Sequence, residues 1–506
     1  GSLDLQAQGN VQGLLAYVAN GELRVRAGGD ILDRADGLGA VLMLGDAAAN
    51  VSAIGDVSIE SILNPTILPQ SQDQVLLSAF ESYYFTYGDS SAARLVSLAG
   101  DVILDNDRSL LIDVSGLNFS DITRRGALQI YPSRVFAAAL RGDVRLNNQM
   151  TLFPSPTGNL DLLAFNNVET VGAAATVRIS NADVALLPFP DRPESGTENF
   201  DRRLVGAGRG LSEFVDAAVP VHLNDDEPSR ILTLNGSVRS DLLFNLVSAE
   251  PVTIRAARDI RNVNLLAQNI REDDTTRVIA GRDVRFDTTR NENGRILNRT
   301  SGFEIAGPGR LDVIAGRDID LGASNGVLSI GNRLNATLAD RGADLTLLAG
   351  IQDGADFDAF VDTYFDTFGR FGDELSAYLL EVTGETLSGD DALAAFRALP
   401  ARLREPLVLA AFFAEVRQSG VESSDEDLGL GFDRGYAAID TLFPGTRIVD
   451  SGDAAQRDVV EVDGVGTFLA PLTGEEVTDV SGDLRIFFSR VQTTDGGDIT
   501  VVVPGG

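Results

Sequence analysis

The 506-residue chain carries 41 basic against 74 acidic residues, a net charge of -33 whose field repels phosphate backbones and anionic lipid surfaces, so nucleic acid is a poor partner. Its 44% hydrophobic content is too high for a disordered acidic tail and demands a large buried core, while the absence of cysteine removes disulfides, thiol nucleophiles and thiolate metal sites. No apolar run reaches the roughly 18 residues needed to span a bilayer, the best stretch, Leu407 to Phe413, being far too short.

One short pattern organises the chain: a small or glycine-containing turn, an aspartate, then apolar, any residue, apolar. It reads AGGDIL ending at Leu32, IGDVSI at Ile59, AGDVIL at Leu104, RGDVRL at Leu146, AGRDVRF at Phe286, AGRDIDL at Leu321 and SGDLRIFF at Phe488. Weaker copies surround Gly236, Asp259 and Gly350. The aspartates fall at Asp30, Asp56, Asp101, Asp143, Asp259, Asp283, Asp318 and Asp483. Most neighbours are separated by one or two units of a coil slightly over ~20 residues long; the interval from Asp283 to Asp318 needs a loop.

Alternation after each aspartate, as in Val144 and Leu146 or Val284 and Phe286, marks a strand with one buried face. The preceding glycine permits a positive φ or tight corner. So short a strand cannot bury its apolar face alone, whereas parallel stacking of similar rungs at ~4.8 Å buries a continuous stripe. The expected fold is therefore an all-β solenoid, a right-handed parallel β-helix with a helical insertion. Each repeat aspartate is expected to accept backbone N–H bonds at strand entry rather than to bind calcium, because one aspartate per coil falls short of a calcium repeat.

Insertions interrupt the pattern. Leu76, Ala79, Phe80 and Tyr83 have helical spacing between Asp73 and Gly88, which predicts a short helix near 73–88. Residues 188–228 read as a long loop with one helical turn near Leu211 to Val215. Phe357, Phe360, Val361, Tyr364, Phe365 and Phe368 form an amphipathic helix face. Ser388 with Asp391 suggests a capping box, Pro400 ends that helix, Pro406 suits a following first turn and Gly420 stops the run. The expected organisation is a parallel β-helix over 1–350, a mainly helical insertion over 351–445 packed on the rod by its aromatic face, and a return to β-helix over 446–506. The start has neither the basic nor the apolar region of a signal peptide, and Gly1-Ser2 looks like an arbitrary cut, so the chain reads as a fragment.

The segments YYFTYGDSSAARLVSLAGDVIL (Tyr83 to Leu104), VHLNDDEPSRI (Val221 to Ile231), AGPGRLDVIAGRDIDLGASNGVLSIGNRLNATL (Ala306 to Leu338), PLVLAAFFAEVRQSG (Pro406 to Gly420), GYAAIDTLFPG (Gly435 to Gly445) and GDLRIFFSRVQTTDGGDITVVVPGG (Gly482 to Gly506) resemble the C-terminal region of filamentous haemagglutinin family exoproteins. The resemblance touches nearly the whole chain. It implies two-partner secretion through an outer-membrane β-barrel transporter, a secreted or bacterial cell-surface location, and a role in adhesion, biofilm contacts or toxin carriage. Expected partners are that transporter and glycans or proteins of host or neighbouring cells. The family's N-terminal secretion domain and a C-terminal toxin are not recognised here, and the family supplies no catalytic residues.

Parallel β-helices also include polysaccharide lyases and hydrolases that work through clustered carboxylates. Asp101, Asp105 and Asp107, or Asp312, Asp318 and Asp320 with Arg282 or Arg317, are the groups such an enzyme would use. Chance clustering is the expected outcome in so acidic a chain, so the reading is a non-enzyme with no catalytic, metal or cofactor-binding residue and no cofactor. The lone histidine, His222, has no second histidine or cysteine and is expected to make a structural hydrogen bond near Asp225, Asp226 and Glu227. A delivery stalk for a contact-dependent toxin and a binding platform on the helical insertion remain open alternatives; the binding residues are unknown.

Overall fold

The structure, a computed structural model, describes residues 1–34, 39–65, 82–106, 130–170, 174–195, 219–288, 292–293, 295, 302–332, 338, 341–350, 355–423, 432–443, 448–449, 459–462, 466–469, 475–476 and 482–503. Most strands belong to one 29-stranded sheet, whose described pairings are all parallel. The chain forms two compact units: residues 1–315, 319–347 and 485–499, and residues 316–318, 348–484 and 500–506.

In the first unit the strands fall into three ladders, and the chain visits each in turn before returning to the first. One ladder runs through Leu3–Ala7, Leu15–Ala27, Ala40–Ala53, Ala92–Ser97, Arg134–Ala139, Leu160–Ala164, Ser229–Thr233, Val252–Ala256 and Thr275–Ala280. The next, entered through the glycine-aspartate corner, includes Ile31–Leu32, Val57–Leu63, Val102–Leu104, Val144–Leu146, Val168–Thr170, Val238–Ser248 and Ile260–Gln268. The third includes Gln149–Leu152, Ala175–Ile179, the second half of Val238–Ser248, Gly302–Ala306, Gly326–Ser329 and Val491–Thr493. Alternate residues face a common aliphatic interior. Val144, Leu146, Val284 and Phe286 are all buried, as the alternation requires.

The corner glycines answer to crowding rather than to backbone handedness. Gly100 and Gly142 do not adopt positive φ; instead a methyl on Gly142 would lie 2.2 Å from the carbonyl oxygen of Gly100 and 2.3 Å from Oδ1 of Asp101. The rung below occupies the space a side chain would need.

The helix expected near 73–88 is not found where the chain is described. Residues 66–81 lie outside the described residues, as does the turn at Leu211 to Val215. Ser82–Tyr83 is a strand, antiparallel to Glu194–Ser195, and Phe85 and Tyr87 are buried at alternate positions. Their rings pack on Phe153 at 4.9 and 5.4 Å. Of the four residues with helical spacing only Tyr83 is described, and it opens an extended segment held by tertiary packing and by the N–H of Phe85 donating to the carbonyl of Pro188 at 2.9 Å.

Among the described residues, the α-helices belong to the second unit. Helix α1 (Phe357–Phe360), capped by Asp356 accepting the N–H of Ala359 at 2.8 Å, runs into a π-helical turn at Val361–Thr367. Helices α2 (Gly372–Thr383), α3 (Gly389–Ala398), α4 (Ala401–Ser423) and α5 (Asp433–Leu442) follow. Phe360, Val361, Tyr364 and Phe365 are buried, with Phe360 and Tyr364 stacked at 4.3 Å and Phe365 and Phe396 at 5.9 Å. Three local expectations fail. Ser388 stands at the N-cap of α3 without a side-chain cap bond, Pro406 lies inside α4 rather than in its first turn, and α4 continues past Gly420. A buried ion network explains the extension. Glu415 is held by Arg370 and by Arg434 at 2.8 Å, and Arg434 reaches Glu422 in the last turn at 2.6 Å.

The return to the parallel sheet comes later than residue 446. Ile448–Val449 pairs antiparallel with Glu475–Glu476, and Val459–Val462 with Gly466–Leu469. Only three residues separate the second pair, too few for the crossover that a parallel pairing needs. Among the described residues, no helix is long and apolar enough to cross a membrane.

Candidate functional site

The repeat aspartates form a hydrogen-bonded file along the corner of the first unit. The backbone N–H of Asp30 donates to Oδ1 of Asn10 at 2.9 Å, that of Asp56 to Asp30 at 2.9 Å, that of Asp101 to Asp56 at 2.8 Å and that of Asp143 to Asp101 at 2.7 Å. The file continues from Asn167 to Asp143 at 2.8 Å, Ser237 to Asn167 at 3.0 Å, Asp259 to Ser237 at 3.2 Å and Asp283 to Asp259 at 3.4 Å. Within the second unit the N–H of Asp483 donates to Asp318 at 3.0 Å in the same way. Each corner residue accepts the N–H that opens the next rung, so the side chains do the work expected of them in strand entry.

The carboxylates considered for catalysis have partners of their own. Asp101 also pairs with Arg145 at 2.9 Å, and Asp105 accepts a side-chain bond from Asn147 at 2.6 Å. These two stand at opposite ends of the short strand Val102–Leu104, and Asp107 lies outside the described residues. Asp312 is buried beside Arg310 at 3.0 Å, Asp320 lies 3.9 Å from Arg485, and Arg282 is paired with Asp259.

His222 does not bond Asp226 or Glu227. It sits on a turn tied down by the N–H of Val221 donating to Asn181 at 2.9 Å, and its Nδ1 faces two carboxylates. Oε2 of Glu250 is 3.1 Å away and Oδ2 of Asp225 is 3.5 Å away. Histidine and Glu250 are each 1% exposed. Burial opposes protonation of the ring, but the adjacent carboxylates outweigh it and raise the His222 pKa to about 9. Burial also raises the Glu250 pKa, whereas that of Asp225 is lowered: burial opposes the change, and the adjacent His222 ring and the bond from the Glu227 backbone overcome it. Glu250 was invisible from the sequence around His222, because the bend before Pro251 brings it in from the following rung. An acidic residue at an otherwise apolar corner was its only signal.

A second feature missed in the sequence is a cationic groove of about 210 Å³ on the outward face of the first ladder, lined by Arg24, Arg26, Arg94, Glu22, Asn50 and Ser52 among others. Arg24 is clamped to Glu22, while the Arg94 guanidinium lies 4.2 Å above the Phe136 ring. The signal was arginine at alternate outward positions, as in Leu23-Arg24-Val25-Arg26. Phe360 of α1 and Tyr364 and Phe365 of the π-turn are buried instead.

The architecture defines a predominantly parallel β protein with a separate helical unit. No family model, curated protein or solved structure matches the chain.

Proposed function

We propose that this chain is a structural stalk segment of a large secreted or surface-attached bacterial adhesin of the filamentous haemagglutinin type, wound as a right-handed parallel β-helix and serving attachment or biofilm contacts. The observation that carries the reading is the corner file: the repeated carboxylates face the backbone of the next rung rather than a shared substrate groove. A fold whose repeated polar residues are used for self-stacking works by length, stiffness and surface, without turnover. Export through a two-partner outer-membrane transporter accords with the lack of cysteine, since an uncross-linked chain threads a pore more readily. The cationic groove at Arg24, Arg26 and Arg94 favours acidic glycans as ligands on an otherwise acidic surface.

The test is a binding screen of the purified chain against bacterial and host cells and a panel of neutral and acidic glycans, with product analysis for every polysaccharide. Retention of cells or acidic glycans without turnover is expected, with Arg94→Ala weakening glycan retention. Cleavage of a polysaccharide that is abolished by a single aspartate substitution would replace the stalk reading with an enzyme.

A further inference from the structure

We propose that His222, Asp225 and Glu250 form a divalent-cation site whose donor set and spacing suit Zn²⁺. The inference is independent of the stalk reading. His222 and Asp225 come from the turn leading into Ser229–Thr233, and Glu250 from the bend that ends Val238–Ser248, so an ion would staple two consecutive passages of the chain.

The geometry supplies the first argument. Nδ1 of His222, one oxygen of Asp225 and one of Glu250 all lie within 4.8 Å of one another. The two nitrogen-to-oxygen separations are 3.1 and 3.5 Å. Four-coordinate zinc with bonds of ~2.0–2.2 Å places neighbouring donor atoms roughly 3.3–3.6 Å apart, close to both nitrogen-to-oxygen separations.

The second argument is what the surrounding groups do. Ser229 donates its hydroxyl to Oε1 of Glu250 and accepts the N–H of Leu160 at 2.9 Å, which fixes the carboxylate. Oδ1 of Asp225 accepts the N–H of Glu227 at 3.1 Å. Each carboxylate is thereby anchored by one oxygen, as metal-binding carboxylates commonly are, and presents the other to the ring. Those inward oxygens, Oε2 and Oδ2, and both ring nitrogens make no hydrogen bond of acceptable geometry. Arg134, whose charge acts on Asp225, donates Nε to the carbonyl of Thr157 at 2.8 Å. A single Nδ1–H cannot satisfy both the buried Glu250 carboxylate and the part-buried Asp225 carboxylate, and a protonated ring neutralises only one of them. A divalent ion bound to a neutral ring neutralises both, with Nδ1 and two oxygens as ligands and a fourth position left for water.

The sequence makes the test clean, because it contains one histidine and no cysteine. A tag-free chain, stripped with EDTA, is titrated with ZnCl₂ and separately with CoCl₂. The expected results are one tightly held equivalent with a single imidazole nitrogen in the zinc X-ray absorption spectrum, a tetrahedral cobalt absorption band, and a thermal midpoint raised by zinc. Glu250→Gln and Asp225→Asn remove the tight equivalent. Ser229→Ala, which removes the support of the Glu250 carboxylate and the acceptor of the Leu160 N–H but no ligand atom, weakens it about 10–100-fold. Asp225 lies nearer the surface than the other two ligands, so its variant keeps the test valid if Glu250→Gln does not fold. An unmodified chain that shows no tight equivalent, the same midpoint with zinc and with EDTA, or zinc without a nitrogen ligand overturns the proposal in favour of a self-contained ion pair.

Discussion

The backbone N–H of Asp143 donates to Oδ1 of Asp101 across a 2.7 Å bond, while the carbonyl of Asp101 accepts the N–H of Val57 at 2.8 Å. One residue thus ties the rung above to the rung below. Asp101→Ala leaves the Asp143 N–H without its acceptor and is expected to destabilise that corner by about 1–3 kcal/mol. Asp101→Asn keeps the acceptor, as Asn167 does in the same file, and loses only the pair with Arg145, worth up to about 1 kcal/mol. Hydrogen exchange at the Asp143 amide separates them: it accelerates in the alanine variant and stays near native in the asparagine variant. Equal protection in both would mean that the corner carboxylates contribute nothing to stacking.

Glycine substitutions should divide by site. Gly142→Ala places a methyl against the Gly100 carbonyl and is expected to lower stability by about 2–3 kcal/mol, read as a reduced thermal midpoint. Gly420→Ala meets no atom within 4 Å in α4 and should stabilise that helix by about 0.5–1 kcal/mol, seen as slower local exchange.

The buried Glu415 network holds α4 to α5. Glu415→Ala removes the carboxylate that Arg370 and Arg434 share, leaving Arg434 with Glu422, and should cost about 3 kcal/mol in the helical unit. Hydrogen exchange is expected to rise across α4 and α5 while residues 1–315 keep their protection; loss confined to the mutated turn would contradict the assignment.

Asp287 sets an acid-side dependence. Burial raises its pKa, but bonds from Arg261, Arg285 and Asn262 outweigh that effect and hold it at about 2. The folded value lies below the ordinary aspartate value near ~3.9, so the contribution is complete above that value and disappears as pH falls towards 2. Acid unfolding of Asp287→Asn should lack this component. Superimposable acid titrations, after allowance for a constant offset, would show that the pairings contribute no linkage.

The sequence by itself determined the rung and its interior. Period-two alternation places Val144 with Leu146 and Val284 with Phe286 on a buried face, and an aspartate before each strand supplies an acceptor where a backbone N–H needs one. Helical periodicity likewise located the aromatic core of α1 and the π-turn. These signals are local: strand, helix and turn propensities act over a few residues.

Tertiary structure decided the rest. Packing on Phe153 holds Phe85 and Tyr87 in an extended segment, and the Arg434 network carried α4 beyond its glycine. The neighbouring rung made Gly142 necessary, and the stacking of successive rungs brought Glu250 to His222 and Arg94 to Arg24. Each outcome rests on contacts between distant parts of the chain. The physical reason is that side chains far apart along the polymer become neighbours only when parallel strands are in register, and local periodicity does not specify which rung lies beside which.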